Sequence, residues 1–437
     1  MIQASNSPSP LTAERSPWLR GPIRLPGDPV QSHVTLLVAA MARGESVIEN
    51  LATAPSVGAL TRTLEQLGIN LGPSSGRFHV QGLGIGGLLP PDGPIDLREA
   101  DENAALLLLA LLAGHGFVSR LVSLPDTPMI GALIDFLRRN GAGVEQEAGG
   151  LTLRPARFPI PLDLALSAEA RMLVAPLLLH CAAVTGRSLL HLPAGLTDPA
   201  EGVLSLFGSR LKATTDDEVT SLRIDGMTPL RAQAVAVAGD PALAAYPALA
   251  ALIAPDSELT IESVALNPGS LAMLDALALL GGDIALGPAR RGGAGVADIV
   301  VRHSPLTGTT IPGDLGIAAD DYAALAVAAA FAEGDTNFEA MGEGGLRAGI
   351  TGGLRANGIE CVEQPGGLLV RGKPRVPGGG YVKARLDPKL AMSFLVLGMV
   401  ADKPVTIDDG AAMASLFPQF VTAFEHIGAS FSTDAAA

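Results

Sequence analysis

Cysteine is scarce in this chain, with only Cys181 and Cys361 among 437 residues. Both lie in apolar or strand-like surroundings, which favours two buried thiols in a reducing cytosol over a disulfide or a nucleophile. The seven histidines are dispersed, and no grouping of His and Cys has the spacing of metal ligands. The sequence therefore predicts a cytoplasmic protein that needs no metal or other cofactor.

Basic residues are also in short supply, since 30 Lys and Arg face 44 Asp and Glu, a net charge of −14. Nucleic acids, anionic lipids and highly anionic ligands require a cationic surface, so the charge argues against them, although a local basic pocket is compatible with it. Long hydrophobic runs are missing too, because the apolar segments 104–113 and 172–184 are too short to span a bilayer. We expect a soluble protein that binds a small molecule, with no nucleic-acid partner and no membrane.

The N-terminal segment has no apolar run of the kind that a secretory signal contains. Its first 17 residues are polar and rich in Ser and Pro, which indicates a disordered leader that we place at residues 1–18. The composition, 48% apolar and 17% charged, is that of a globular protein. The length is sufficient for two domains, each with its own core.

A repeat of roughly 70 residues organises the rest of the chain. Each repeat contains an apolar helix, a small turn, a strand rich in β-branched residues and a second helix that ends at a glycine. Glycine commonly ends α-helices because it adopts the left-handed backbone conformation easily. Because the first helices are apolar on all sides, we expect them to be buried centrally, which favours two globular domains of three units each over a solenoid. The first helices are predicted at 34–42, 104–113, 172–184, 246–253, 322–332 and 390–400, and the terminal glycines are Gly68, Gly141, Gly208, Gly281, Gly358 and Gly428.

Several short segments, in the right order, resemble the 5-enolpyruvylshikimate-3-phosphate (EPSP) synthase family. Residues 25–33 (LPGDPVQSH) resemble its first active-site loop, and residues 238–246 (AGDPALAAY), 325–334 (LAVAAAFAEG) and 415–420 (SLFPQF) are similar to three further family segments. The resemblance implies an α/β fold, the two-domain enolpyruvyl transferase-like fold with six repeated helix–strand units. It implies a domain of residues 27–238 inserted into one formed by residues 19–26 and 239–437, substrate in the cleft between the domains, and a monomer.

Most of the cationic positions of that family are neutral or acidic in this chain. The Lys and Arg of the first loop correspond to Pro29 and Val34, the Gly-rich phosphate loop corresponds to residues 99–106 (EADENAAL), and residues 123–129 (SLPDTPM) lack both Arg of the matching segment. Phosphates and carboxylates in a closed cleft need Arg and Lys to replace their lost hydration. We therefore expect a weakly anionic, shikimate-like carbocycle or sugar-like substrate.

The carboxylates of the family, in contrast, persist. Asp320 and Asp321 match its Asp-Glu pair, whose Asp transfers a proton, and a carboxylate without nearby cations has a raised pKa that suits acid–base catalysis. A helix N-cap is the alternative role for Asp320. Our catalytic candidates are Asp320, Asp321 and Glu343.

The same resemblance supplies candidates for substrate binding: Asp28, Ser32, His33, Ser167, Glu169, Asp198, Arg347 and Lys389. For His33, a buried core or capping role is the alternative. Lys389 belongs to a basic group with Lys383 and Arg385, which is either a solvated face or a surviving carboxylate clamp.

Three functions fit these observations. The first is an altered chemistry, an elimination or transfer by carboxylate acid–base catalysis, instead of the family's phosphoenolpyruvate-dependent reaction. The alternative is a divergent but genuine 3-phosphoshikimate 1-carboxyvinyltransferase of aromatic amino acid biosynthesis. A third is a non-catalytic protein that keeps the fold for binding or as a partner subunit.

Overall fold

The computed structural model describes residues 9–266, 271–289, 295–341 and 344–433. The chain divides into two compact units, each with its own hydrophobic core. The first unit comprises the residues up to Pro26 and most of the chain from Gly239 onward, and the second consists mainly of Gly27–Ala238. The strands β1 (Leu11–Glu14) and β2 (Arg20–Arg24) precede the second unit and belong to the first.

In the second unit, long apolar helices alternate along the chain with amphipathic ones. The helices are α1 (Pro29–Met41), α2 (Pro55–Gln66), α3 (Glu102–Ala113), α4 (Pro128–Arg139), α5 (Val174–Ala183) and α6 (Pro199–Leu206). A 3₁₀ helix, Ala168–Leu173, leads directly into α5. The apolar helix α3 packs against α1 and α5 in the core.

The strands of this unit are β3 (Arg43–Glu49), β4 (Asn70–Ser74), β5 (Arg77–Leu83), β6 (Ile95–Asp96), β7 (Ser119–Val122), β8 (Gly143–Glu147), β9 (Gly150–Arg154), β10 (Asp163–Ala165), β11 (Arg187–Pro193), β12 (Arg210–Thr215), β13 (Val219–Asp225) and β14 (Ala234–Ala236). They form three four-stranded sheets, in the orders β14-β3-β5-β4, β6-β7-β9-β8 and β10-β11-β13-β12. In each sheet the first pair is parallel and the other two pairs are antiparallel.

The first unit repeats this plan. Its helices are α7 (Pro241–Ile253), α8 (Ala272–Leu279), α9 (Tyr322–Phe331), α10 (Gly345–Ala356), α11 (Pro388–Gly398) and α12 (Phe420–His426), with 3₁₀ helices at Ala319–Asp321 and Gly410–Ser415. Its remaining strands are β15 (Glu258–Ala265), β16 (Asp283–Leu286), β17 (Val296–Arg302), β18 (Thr310–Ile311), β19 (Gly334–Phe338), β20 (Glu360–Gln364), β21 (Gly367–Gly372), β22 (Tyr381–Val382), β23 (Val405–Ile407) and β24 (Ser430–Ser432). The sheet orders are β16-β17-β15-β2, β18-β19-β21-β20 and β22-β23-β1-β24.

The predicted repeat of helix, strand and helix is confirmed in all six places. Each of the six predicted terminal glycines has a positive φ, from 77° at Gly358 to 110° at Gly428. Residues with a Cβ are strained in that conformation, so glycine ends these helices with little strain. Both cysteines are buried and free, as predicted.

Aspartate followed by proline begins several of these helices. The carboxylate accepts a backbone N–H of the first turn, and proline at the first helical position has no N–H to leave unpaired. This arrangement occurs at Asp28-Pro29, Asp198-Pro199, Asp240-Pro241 and Asp387-Pro388.

Two expectations need correction. The predicted leader is wrong at residues 11–14, which form β1 between β23 and β24 and bury Leu11 and Ala13. In its sheet β1 holds the third position, which β5, β9 and β13 hold in the sheets of the second unit. The predicted helix 172–184 starts too early, since its first two residues belong to a 3₁₀ helix and the α-helix starts at Val174.

None of the described helices combines the length and the apolarity that a bilayer-spanning segment requires. Within the same residues, no group of three or more His, Cys, Asp and Glu side chains could hold a metal ion.

Candidate functional site

In the first unit, a lysine and two aspartates form a compact charged group. The Nζ of Lys389 lies 2.6 Å from Oδ1 of Asp321 and 3.0 Å from Oδ2 of Asp320. The side chains of Lys389 and Asp321 are 13% and 11% exposed, whereas that of Asp320 is 52% exposed. The group therefore combines a largely buried ion pair with a carboxylate that reaches water.

Two helix starts position these three residues. Asp320 and Asp321 lie in the 3₁₀ turn before α9, and Lys389 is in the first turn of α11, whose cap Asp387 accepts the Lys389 N–H at 3.0 Å. Among the described residues, no side chain caps the start of α9. The capping role considered for Asp320 is therefore wrong, because both carboxylates face the lysine instead.

The ionisation of the group follows from burial and from the ion pairs. Burial raises the pKa of Asp321, and Lys389 acts in the opposite direction without cancelling this effect. Burial disfavours the charge on Lys389, but Asp321 and Asp320 together raise its pKa. The lysine is therefore cationic and its charge is already neutralised inside the protein.

Tyr246, on α7, lies close to the same carboxylates. Its side chain is 1% exposed, and burial raises its pKa well above the usual value, with Asp321 and Asp320 adding to the shift. The phenol is therefore neutral and can donate its hydrogen at any physiological pH. The sequence pattern identified Tyr246 only as the start of an apolar helix, and its position beside the aspartates follows from packing alone.

In the second unit, the start of α1 holds three of the predicted binding residues. Asp28 caps this helix by accepting the Gln31 N–H at 2.6 Å, and the Ser32 hydroxyl accepts the Ala52 N–H at 3.0 Å. His33 is fully buried. Because each side chain has a partner inside the protein, all three support the local structure.

The hydrogen bonds of His33 define its protonation. The Asn103 amide Nδ2 donates to His33 Nδ1 at 3.2 Å, so Nε2 carries the ring hydrogen and donates to the Ser56 hydroxyl at 3.1 Å. Burial lowers the pKa of His33, which keeps it neutral. These contacts favour the buried core role over catalysis. Asn103, which connects α3 to His33, was not among the candidates, although it lies in the segment 99–106.

Two carboxyl groups of this unit titrate close to neutrality. Burial raises the pKa of Asp28 to about 6 and that of Asp198 to about 7. Asp198 caps α6 and forms a reciprocal capping box with Glu201, whose carboxylate accepts the Asp198 N–H at 3.0 Å. Both carboxyl groups cap helices. Because they are buried, their negative charge at neutral pH lowers the stability of the folded protein.

The remaining candidates are dispersed. Ser167 and Glu169 are exposed at the start of the 3₁₀ helix before α5, where a hydrogen bond from Ser167 lowers the pKa of Glu169. The Nε of Arg347, on α10, lies 4.0 Å from Glu363, and its Nη1 is buried without a hydrogen bond in the described structure. Glu343 lies outside the described residues.

Lys383 and Arg385 do not join Lys389. Both are exposed, whereas Lys389 is paired with Asp320 and Asp321. The two exposed side chains fit the solvated basic face. Of the predicted basic group, Lys389 is the member that belongs to the charged group with Asp320 and Asp321.

The fold has clear counterparts among solved structures. An EPSP synthase from Acinetobacter baumannii superposes with a TM-score of 0.80 at 24% identity, covering 97% of this chain and 99% of that one. The enolpyruvyl transferase NikO from Streptomyces tendae superposes with a TM-score of 0.73 at 22% identity, with the same coverage. The α/β enolpyruvyl transferase-like fold that the sequence resemblance implies is confirmed.

Sequence similarity extends the assignment from fold to family. The family model for EPSP synthase (3-phosphoshikimate 1-carboxyvinyltransferase) matches residues 14–424. A 3-phosphoshikimate 1-carboxyvinyltransferase from Parvibaculum lavamentivorans is 36% identical over 98% of both chains, and one from Rhizobium johnstonii is 35% identical over 98% of both. The chain belongs to the EPSP synthase family.

Proposed function

We propose that this protein is a divergent 3-phosphoshikimate 1-carboxyvinyltransferase, which transfers the enolpyruvyl group of phosphoenolpyruvate to shikimate 3-phosphate and releases phosphate. The observation that carries the proposal is the similarity to enzymes of that name along essentially the whole chain. It favours this activity over the altered chemistry that the missing cations led us to expect.

The group around Lys389 supports specific roles in that reaction. Lys389 binds an anionic group of the substrate, and Asp320, which is half exposed beside it, transfers the proton. Tyr246 stays neutral and orients a substrate oxygen as a hydrogen-bond donor.

A second candidate function is acid–base chemistry on a weakly anionic, shikimate-like carbocycle or a sugar-like substrate. It is favoured by one specific observation: the contacts of Lys389 are with two carboxylates, so that little positive charge is left to attract phosphate. This candidate uses the same Asp320 and needs no second anion site. A non-catalytic binding protein would retain the fold but not depend on Asp320.

The decisive measurement is phosphate release from phosphoenolpyruvate and shikimate 3-phosphate. We expect turnover by the unchanged protein and a loss of about 100-fold or more in Asp320→Asn, in line with the usual contribution of a general acid or base. Asp275→Asn, an exposed carboxylate of α8, is the matched control and should retain the rate. Absence of turnover would reject the transferase proposal.

If turnover is absent, thermal-shift screening of carbocyclic acids with and without phosphate tests the second candidate. Stabilisation by an unphosphorylated ligand, lost in Asp320→Asn, would support it. The family resemblance also supports a monomer, which light scattering of the purified chain tests.

A further inference from the structure

Lys389 is already paired with two carboxylates, and their negative charge opposes the binding of any anion to the lysine. We propose that Asp321 is a specificity-determining residue of this site, such that an anion binds at Lys389 only together with a proton that the Asp320–Asp321 pair takes up. The inference rests on the anion-binding role of Lys389 in the proposed function. It adds a charge requirement that this chain imposes on its ligand.

The geometry gives the reason. A lysine ammonium has three N–H donors, and the contacts at 2.6 and 3.0 Å to Asp321 and Asp320 use two of them. An anion on the third donor would approach a group that holds one positive and two negative charges. Repulsion therefore opposes a dianion more than a monoanion until one carboxylate is neutralised.

Burial determines which carboxylate is neutralised most easily. Water screens Asp320, which is 52% exposed, but has little access to Asp321, which is 11% exposed. Burial already raises the pKa of Asp321, so an added negative charge raises it further. Asp321 is therefore the group that takes up the proton.

In the part of the chain that the structure describes, the ionisable side chains on the helices packed against α9 do not supply an alternative counter-charge. On α10, Arg347 is directed at Glu363, 4.0 Å away, and on α8 Asp275 is exposed. The groups on α7 and α11 supply no positive charge either, because Tyr246 is neutral and the charges of Asp240 and Asp387, which act on Tyr246, are negative.

The test uses sulfate, a dianion that does not titrate near neutrality, with chloride at equal ionic strength as the reference. We expect the sulfate affinity, measured from the shift in unfolding midpoint, to fall as pH rises through the neutral range, by at most about tenfold per pH unit for one proton. Asp321→Asn should bind sulfate at least about 10-fold more tightly at the upper pH and lose the pH dependence. Lys389→Gln should abolish binding, and Asp275→Asn should behave as the unchanged protein.

The outcomes separate this inference from the proposed function. Sulfate binding that does not depend on pH, or that is no stronger in Asp321→Asn, overturns the charge requirement even if phosphoenolpyruvate turns over. Absence of sulfate binding in both the unchanged protein and Asp321→Asn also overturns it. Proton-linked sulfate binding without turnover leaves the inference intact and rejects the transferase proposal.

Discussion

At the scale of single residues, the ion pair of Asp321 and Lys389 makes a strong prediction about stability. Replacing the lysine by methionine leaves Asp321 buried without its partner, so we expect Lys389→Met to lower the free energy of unfolding by about 3 kcal/mol near neutral pH. The loss should shrink at low pH, because protonation of Asp321 removes the unpaired charge. Urea unfolding at two pH values measures this effect, and equal losses in Lys389→Met and the exposed Lys383→Met would contradict it.

Asp28 predicts a pH dependence of stability in the unchanged protein. Its pKa is raised in the folded protein to about 6, so the folded state retains a proton that the unfolded chain has lost. Stability therefore falls as pH rises from about 4 to about 6 and stays lower above that range. Asp28→Asn keeps an oxygen for the Gln31 N–H but carries no charge, and we expect it to be about 2 kcal/mol more stable than the unchanged protein near pH 7.5.

The comparison that tests this prediction is urea unfolding of Asp28→Asn near pH 7.5 and near pH 4, where the difference should disappear. The exposed Asp92→Asn serves as its control and should change stability by less than about 0.5 kcal/mol. A destabilised Asp28→Asn at neutral pH would mean that the charge itself, and not only the oxygen, supports the helix start.

The sequence identified individual site residues better than their contacts. Asp320 and Lys389 were both singled out from family-like segments, but their ion pair joins two helix starts that are far apart in the chain, and no local pattern encodes it. Tyr246 and Asn103 were missed for the same reason: their roles depend on packing between helices. His33 could be placed in an apolar helix, and its buried hydrogen bonds follow from that setting.

At the scale of elements, helices were predictable and most strands were not. The apolar helices are long, and their terminal glycines mark the repeat, whereas strands such as β6 and β22 have only two residues and carry no usable periodicity. The strand β1 was missed because four residues, Leu11–Glu14, follow a Ser- and Pro-rich stretch. Such short strands form because they pair with neighbouring strands of the sheet, and their own sequence does not predict them.

The central position of β1 gives a prediction for this element. Ala13 is fully buried, pairs with Val405 and Phe431, and lies against Gly398. Ala13→Asp places an unpaired charge there, and we expect a loss of about 4 kcal/mol or more in the free energy of unfolding. Glu14→Gln, one residue further along the same strand, should have little effect. Unchanged urea unfolding of Ala13→Asp would show that β1 contributes little to the stability of the first unit.

At the scale of the whole molecule, the first and last residues of the main stretch of the second unit lie next to each other. Within it, the Asp28 N–H donates to the Ala238 carbonyl at 2.8 Å, so its two ends are held together by a hydrogen bond. The main part of the unit is one stretch of chain, Gly27–Ala238, with its own core and with β14 closing its first sheet onto β3. These features are typical of an inserted domain that folds independently.

We therefore predict that residues 27–238, expressed alone, form a folded protein with a single cooperative unfolding transition. Its m-value in urea should be about half that of the intact chain, because m scales with the surface exposed on unfolding and the stretch is close to half of the chain. Leu109→Ala, in the fully buried centre of α3, should lower stability by about 3 kcal/mol in the isolated stretch and by a similar amount in the intact protein. A non-cooperative transition in the isolated stretch would mean that the second unit depends on the first for its fold.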